Sequence, residues 1–267
     1  MEQHMSSEFQ EGLVHFYDRF FNSRGVYLDG RVGADFANLG FFLPGTPDHT
    51  DACENLMEHL LGLIRSRKGL ILDVGCGLGG STRHLTRYYP PEHVHGINIS
   101  EYQLDECRRR VPGSHFHLMS AERLAFPDGM FDAVISVEAA PHFKGRREFL
   151  EEARRVLKPS GELVVADLLF NSEPRAFRKV LKGQELYQNL DEYRALWEAN
   201  GFGDVSCEDV TRPCWRGFVE HIKGRVLRDL IARAIDAATF RRLVRFVKDV
   251  EGLPVSAYVF ARGVKPE

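Results

Sequence analysis

No stretch of this 267-residue chain approaches the ~20 consecutive apolar residues of a membrane-spanning helix. Its opening, Met1 to Gln10, is polar and lacks the apolar centre of a secretory signal. Cysteines are sparse: there are five, an odd number without C-x-x-C spacing, which argues against a disulfide frame or a zinc site and for reduced thiols. Charge of one sign is not in excess either. The formal net charge is −3, with basic and acidic residues interspersed, so the electrostatic footprint of a nucleic-acid binder is missing. Internal repeats and low-complexity tracts are absent too. The remainder, 43% hydrophobic and 27% charged, is ordinary globular composition with enough apolar material for a sizeable core. These observations predict a cytoplasmic protein with no membrane span and no nucleic-acid partner.

Against that background one segment stands out, Leu70-Ile71-Leu72-Asp73-Val74-Gly75-Cys76-Gly77-Leu78-Gly79-Gly80. An apolar strand ends in an acid, then enters a glycine-dense turn and an amphipathic stretch from Ser81 to Tyr89. Strand, glycines and helix start together bring backbone N–H groups close to a ligand. The segment satisfies two patterns at once. Gly75, Gly77 and Gly80 make G-x-G-x-x-G, the dinucleotide fingerprint, while Asp73, Gly75, Gly77 and Gly79 make D-x-G-x-G-x-G. Tight turns alone would also use such glycines.

Strand-like runs recur at Leu70–Val74, Val94–Ile99, His115–Met119, Phe131–Val137 and Glu162–Leu169. Helical patterns separate or flank them. Thr50 would cap a helix with Cys53, Leu56, Met57, Leu60, Leu61 and Ile64 on one face. Arg147–Leu157 would be a second, stopped by Lys158-Pro159-Ser160-Gly161, and Leu190–Asn200 a third, ended by Gly201. Asp204–Val210 and Val255–Arg262 are further strands, with one long helix between them carrying the stripe Ile222 to Ile235. Alternation of this kind predicts an α/β fold, a doubly wound, mostly parallel sheet. The chain divides into an aromatic-rich helical lid (1–50), a core (51–170) and a C-terminal part (171–267) that completes the sheet and adds pocket helices.

Three further features extend the glycine segment. Asn98 sits near the position, about 20 residues on, where a ribose-binding acid is expected. The block Met119-Ser120-Ala121-Glu122-Arg123-Leu124-Ala125-Phe126-Pro127 precedes Phe131-Asp132-Ala133-Val134, and Leu157-Lys158-Pro159-Ser160-Gly161 precedes the fifth strand. In this order and spacing the chain resembles the class I S-adenosylmethionine-dependent methyltransferases, over residues 70–170. The resemblance implies their Rossmann-like seven-stranded sheet and S-adenosylmethionine as cofactor, released as S-adenosylhomocysteine. It implies Asp73, Gly75, Gly77 and Gly79 at the methionine end, Asn98 and Gln103 at the ribose, and Ser120 and Ala121 at the adenine. Tyr17 is added as a cofactor contact from the lid. Ser120 departs from the family's usual aspartate.

Methyl transfer to an alcohol also needs a proton acceptor. Val137-Glu138-Ala139-Ala140-Pro141-His142-Phe143 follows the fourth strand, on the edge where open parallel sheets bind ligands. His142 titrates near neutrality, and Asp167, ending the adjacent strand, is placed to orient it. That pair resembles the arrangement in natural-product O-methyltransferases, and Glu138 is a third catalytic candidate. A loop histidine is as often a surface residue, and Asp167 could simply close a strand end. Asn38-Leu39-Gly40-Phe41-Phe42 is similar to the N-L-G-Y-W-like segment of macrolide-sugar, tocopherol and prenyl-chain methyltransferases. The expected acceptor is therefore a small molecule, a hydroxyl of a specialised metabolite. C-methylation of a prenylated or isoprenoid substrate is the alternative, with an NAD-binding oxidoreductase or a silent cofactor binder more distant. No metal is expected, and the aromatic N-terminal segment leaves a homodimer open.

Overall fold

The computed structural model describes Gly12, residues 36–174 and residues 185–267. The expected N-terminal helix and Tyr17 within it lie outside the described residues. Seven strands form one sheet: β1 (Ile71–Val74), β2 (Val94–Asn98), β3 (His115–Leu118), β4 (Phe131–Val137), β5 (Leu157–Phe170), β6 (Gly203–Asp209) and β7 (Val255–Val264). Their order is β3-β2-β1-β4-β5-β7-β6. β1 to β5 pair in parallel, whereas β7 runs antiparallel between β5 and β6. β1 lies inside the sheet and is buried along its whole length, which is why it reads as an unbroken apolar run.

Helices cover both faces. They are α1 (His49–Leu63), α2 (Gly80–Leu85), α3 (Glu101–Arg110), α4 (Arg146–Val156), α5 (Leu190–Ala199), α6 (Gly217–Ile231) and α7 (Ala237–Glu251). One core joins Leu56, Leu60 and Leu61 of α1 to Phe218, Val219 and Ile222 of α6 and to Val247 and Val250 of α7. The opposite core joins Phe149, Leu150 and Ala153 of α4 to Tyr193 and Trp197 of α5. Phe36, Phe41, Phe170, Trp215 and Phe218 are packing residues of the first core.

Four boundaries differ from the sequence reading. α1 is capped by Asp48, whose carboxylate accepts the Asp51 N–H, and so begins before Thr50. α2 ends at Leu85, short of Tyr89. β5 starts directly after α4, at Leu157, and carries the Pro159-Ser160-Gly161 kink inside its irregular pairing with β4. The long helix expected through Ile235 stops earlier, and a further helix that the sequence reading did not contain follows it. α6 ends at Ile231, Arg233 adopts φ +55°, and Asp236 caps α7 by accepting the Thr239 N–H.

On the outer strands, His95 pairs with His115 across β2 and β3, and its ring stacks on those of His115 and His117. His95 Nδ1 lies 3.2 Å from His117 Nε2. Burial, reinforced by the neighbouring imidazoles, pushes the His95 pKa down to about 4.

Candidate active site

The chain leaves β1 at Asp73 and Val74 and turns sharply. The Gly75 and Cys76 N–H groups donate to the Ile97 carbonyl on β2, at 3.0 and 3.1 Å. Gly75 has φ +78°, and a Cβ there would stand 2.4 Å from the Ala139 methyl on the loop after β4. No other residue fits this crossing of two loops. Gly77 (φ +54°) faces Ala37 with only the methyl 3.9 Å away, leaving a shallow cradle of backbone between the 36–42 segment and the sheet edge. Gly79 caps α2 in the left-handed region.

Asp73 is 1% exposed. Its Oδ2 accepts from Ser81 Oγ at 2.6 Å and Thr82 Oγ1 at 2.7 Å, while Oδ1 has no hydrogen-bond partner. Burial pushes its pKa up to about 6 against the pull of the two hydroxyls. An acid held in this way, with one buried oxygen unsatisfied, fits an ammonium group, which would supply both the missing donor and a compensating charge. At the end of β2 the Asn98 amide donates to Gln103 Oε1 at 3.0 Å and accepts the Ser100 N–H at 3.1 Å. The Met119 N–H donates to the Asn98 carbonyl at 3.1 Å, bringing Ser120 and the buried Ala121 to the same edge. The structure thus gathers Asp73, Gly75, Gly77, Asn98, Gln103, Ser120 and Ala121 along neighbouring strand ends.

Ser136 Oγ donates to the Val74 carbonyl at 3.0 Å, tying β4 to β1 just before the next turn. Glu138 follows with φ +54°, a strained value for a side chain of this size. Its Oε1 accepts the Leu39 N–H at 2.6 Å and the Tyr258 hydroxyl at 2.5 Å. Burial pushes the Glu138 pKa up to about 7, opposed by these two donors. His142 closes a short 3-10 turn, Ala140–His142, its N–H donating to the Ala139 carbonyl at 2.9 Å.

Asp167 does not meet His142. The fully buried carboxylate accepts from Arg146 Nε at 2.8 Å, Arg146 Nη2 at 3.0 Å and the Tyr193 hydroxyl at 2.8 Å. A permanently charged guanidinium with fork geometry bridges both oxygens, so the partners that hold this carboxylate are Arg146 and Tyr193. Arg146 Nη2 also donates to the Leu168 carbonyl, and its guanidinium stands over the Tyr187 ring. Tyr258, Arg146 and Tyr193 were invisible to the sequence reading, since no spacing rule links residues on separate strands and helices. Among the described residues no group of three or more histidine, cysteine or acidic side chains is placed to hold a metal ion.

Residues 72–165 match the family model described as a methyltransferase domain. The chain is 31% identical over 234 residues to 27-O-demethylrifamycin SV methyltransferase of Amycolatopsis mediterranei, an alignment covering 81% of this chain and 85% of that protein. It is 35% identical over 237 residues to 2-methyl-6-phytyl-1,4-hydroquinone methyltransferase of Synechocystis, covering 82% and 71%. Among solved structures, geranyl diphosphate C-methyltransferase from Streptomyces coelicolor superimposes with a TM-score of 0.69 over 96% of this chain and 98% of that one. At 16% identity that likeness speaks to fold.

Proposed function

The chain belongs to the S-adenosylmethionine-dependent methyltransferases, and from that premise we propose that it methylates a hydroxyl of a small specialised metabolite, with Glu138 as proton acceptor. The oxidoreductase alternative falls with the family assignment. A sulfonium donor supplies an electrophilic methyl and a neutral leaving group. Asp73 Oδ1 would hold its ammonium, with the backbone of Gly75, Gly77 and Gly79 beneath. Asn98 and Gln103 would take the ribose, and Ser120 and Ala121 the adenine edge.

The observation that carries the reading is Glu138 itself, strained, held by Tyr258 and the Leu39 N–H, and poised near pH 7 beside the glycine loop. A base of that proton affinity is charged often enough to act near neutral pH and basic enough to accept. Its two donors fix the carboxylate so that alignment, the main demand of an in-line displacement, is set before the acceptor arrives. His142 on the next turn is the competing base. Asp167 enters as the anchor of Arg146, which in turn holds the start of α4 after the His142 turn.

The name of the Amycolatopsis relative describes O-methylation, which supports a hydroxyl acceptor. The phytyl-hydroquinone relative favours the second reading, C-methylation of a prenylated ring, in which Glu138 would remove the ring proton. Incubation with methyl-labelled donor and a panel of polyketide alcohols and prenylated hydroquinones decides between them. An O-methyl product that is lost in Glu138→Gln and kept in His142→Ala supports the first reading. A C-methyl product supports the second, and a loss confined to His142→Ala moves the base to the histidine.

A further inference from the structure

The α6–α7 pair has an outer face that the reaction does not use. Both helices bury their inner residues in the same core, Phe218, Val219 and Ile222 from one and Val247 and Val250 from the other. On the outside of α6, Leu227 and Ile231 are one turn apart and 54% and 73% exposed. Isolated exposed leucines need no explanation, but two branched aliphatics on one turn, at the end of a helix, make a protruding apolar tip.

The segment that carries that tip is basic. From Arg212 to Glu251 the chain has ten basic and five acidic residues, a formal +5 in a protein whose total is −3. Two of those carboxylates are engaged locally, Glu251 with Lys223 and Asp229 with Arg225. Arg241, Arg245 and Lys248 are exposed at i, i+4 and i+7 on α7, and Arg228 is exposed on α6. Among the described residues none of these four forms an ion pair. A net-positive helix pair on an otherwise acidic molecule, with exposed aliphatic side chains on one of its helices, is complementary to an anionic lipid surface. Nucleic-acid phosphates would answer the charge and leave the aliphatic tip in water. No described helix is long and apolar enough to cross a membrane, so contact would be at the headgroup level.

We propose that the outer face of α6–α7 docks the enzyme on anionic bilayers, with Leu227 and Ile231 entering the interface and Arg228, Arg241, Arg245 and Lys248 on the headgroups. The proposal stands independently of which acceptor is methylated. The experiment is sedimentation of the full chain with vesicles of phosphatidylcholine alone or with phosphatidylglycerol, across a salt series. Binding is expected on the anionic vesicles only and should weaken as salt rises. Arg241→Gln/Arg245→Gln should weaken it about thirtyfold, and Leu227→Ser/Ile231→Ser on the order of tenfold. Retained S-adenosylhomocysteine binding in both variants shows that they fold. Failure to bind anionic vesicles at low salt, equal binding by the variants, or equal binding to neutral vesicles would overturn the proposal. So would a molar mass of two chains that falls to one in Leu227→Ser/Ile231→Ser, because the face would then be a contact between copies.

Discussion

Asp73 and Glu138 are buried acids of different design. Asp73 has one satisfied and one unsatisfied oxygen, so removing its charge should be felt first in cofactor affinity. Asp73→Asn is expected to weaken S-adenosylhomocysteine binding between ten- and a hundredfold, the range of a hydrogen bond to a charged group. Calorimetric titration reads it, and unaltered binding would remove the aspartate from the cofactor site. Glu138 should be felt in rate. With its pKa near 7, turnover should rise with pH through neutrality, since the deprotonated form accepts the proton. Glu138→Gln should lower turnover by about 10²–10⁴-fold and flatten that rise. The same substitution has a stability signature. A carboxyl whose folded pKa is raised from 4.5 to about 7 favours the fold below its unfolded value and loses that contribution as pH rises through 7. Glu138→Gln should therefore melt higher than the parent at pH 8, with little difference at pH 4, in paired thermal scans.

Elements were legible where local chemistry bounds them. β4 was read at both ends, Phe131 and Val137, because its apolar run is bracketed by a Pro/Gly turn and an acid. Cys53, Leu56, Met57, Leu60 and Leu61 of the buried stripe of α1 were read, whereas His49 and Ala52 were not and Ile64 falls at the C-cap. The N-cap was misplaced by two positions because Asp48 competes with Thr50 and wins by reaching the Asp51 N–H. α7 was missed altogether. Ala232, Ala234 and Ile235 are compatible with a continuing helix, and only Asp236 announces a new start. That cap is testable: Asp236→Ala should cost about 1 kcal/mol in a urea denaturation series. The site was legible along β1 and β2, where the motif is contiguous, and illegible where contacts span the chain. Tyr258 reaches Glu138 across 120 residues only because β7 inserts beside β5, pairing Tyr258 with Leu168. The sheet's outer strands carry their own prediction. His95 has a folded pKa near 4, below its unfolded value, so its contribution is present above pH 6.5 and lost as pH falls toward 4. His95→Gln should retain more of its neutral-pH stability at pH 5 than the parent does; an identical acid loss in both would place the sensitivity elsewhere.

Across the whole molecule these titrations oppose one another. Between pH 4 and 7 the buried histidine favours the upper end of the range, while Glu138 and Asp73 favour the lower. His95→Gln should thus steepen the fall of stability with rising pH, and Glu138→Gln should flatten it, leaving Asp73 and His95 to offset one another. The order of the sheet has a different bearing. Of the seven strands, β7 leaves the ribosome last, yet its place is inside the sheet, between β5 and β6. Without Val255–Val264, the edge of β5 from Glu162 to Phe170 has no strand to pair with, and β6 has no neighbour in the sheet. The glycine loop lies early in the chain and the strand that closes this part of the sheet lies last, so the sheet can be completed only after the whole of the core sequence has been made. Because Tyr258 rides on that strand, Glu138 gains the second of its two donors, after the Leu39 N–H, only from the last strand of the chain.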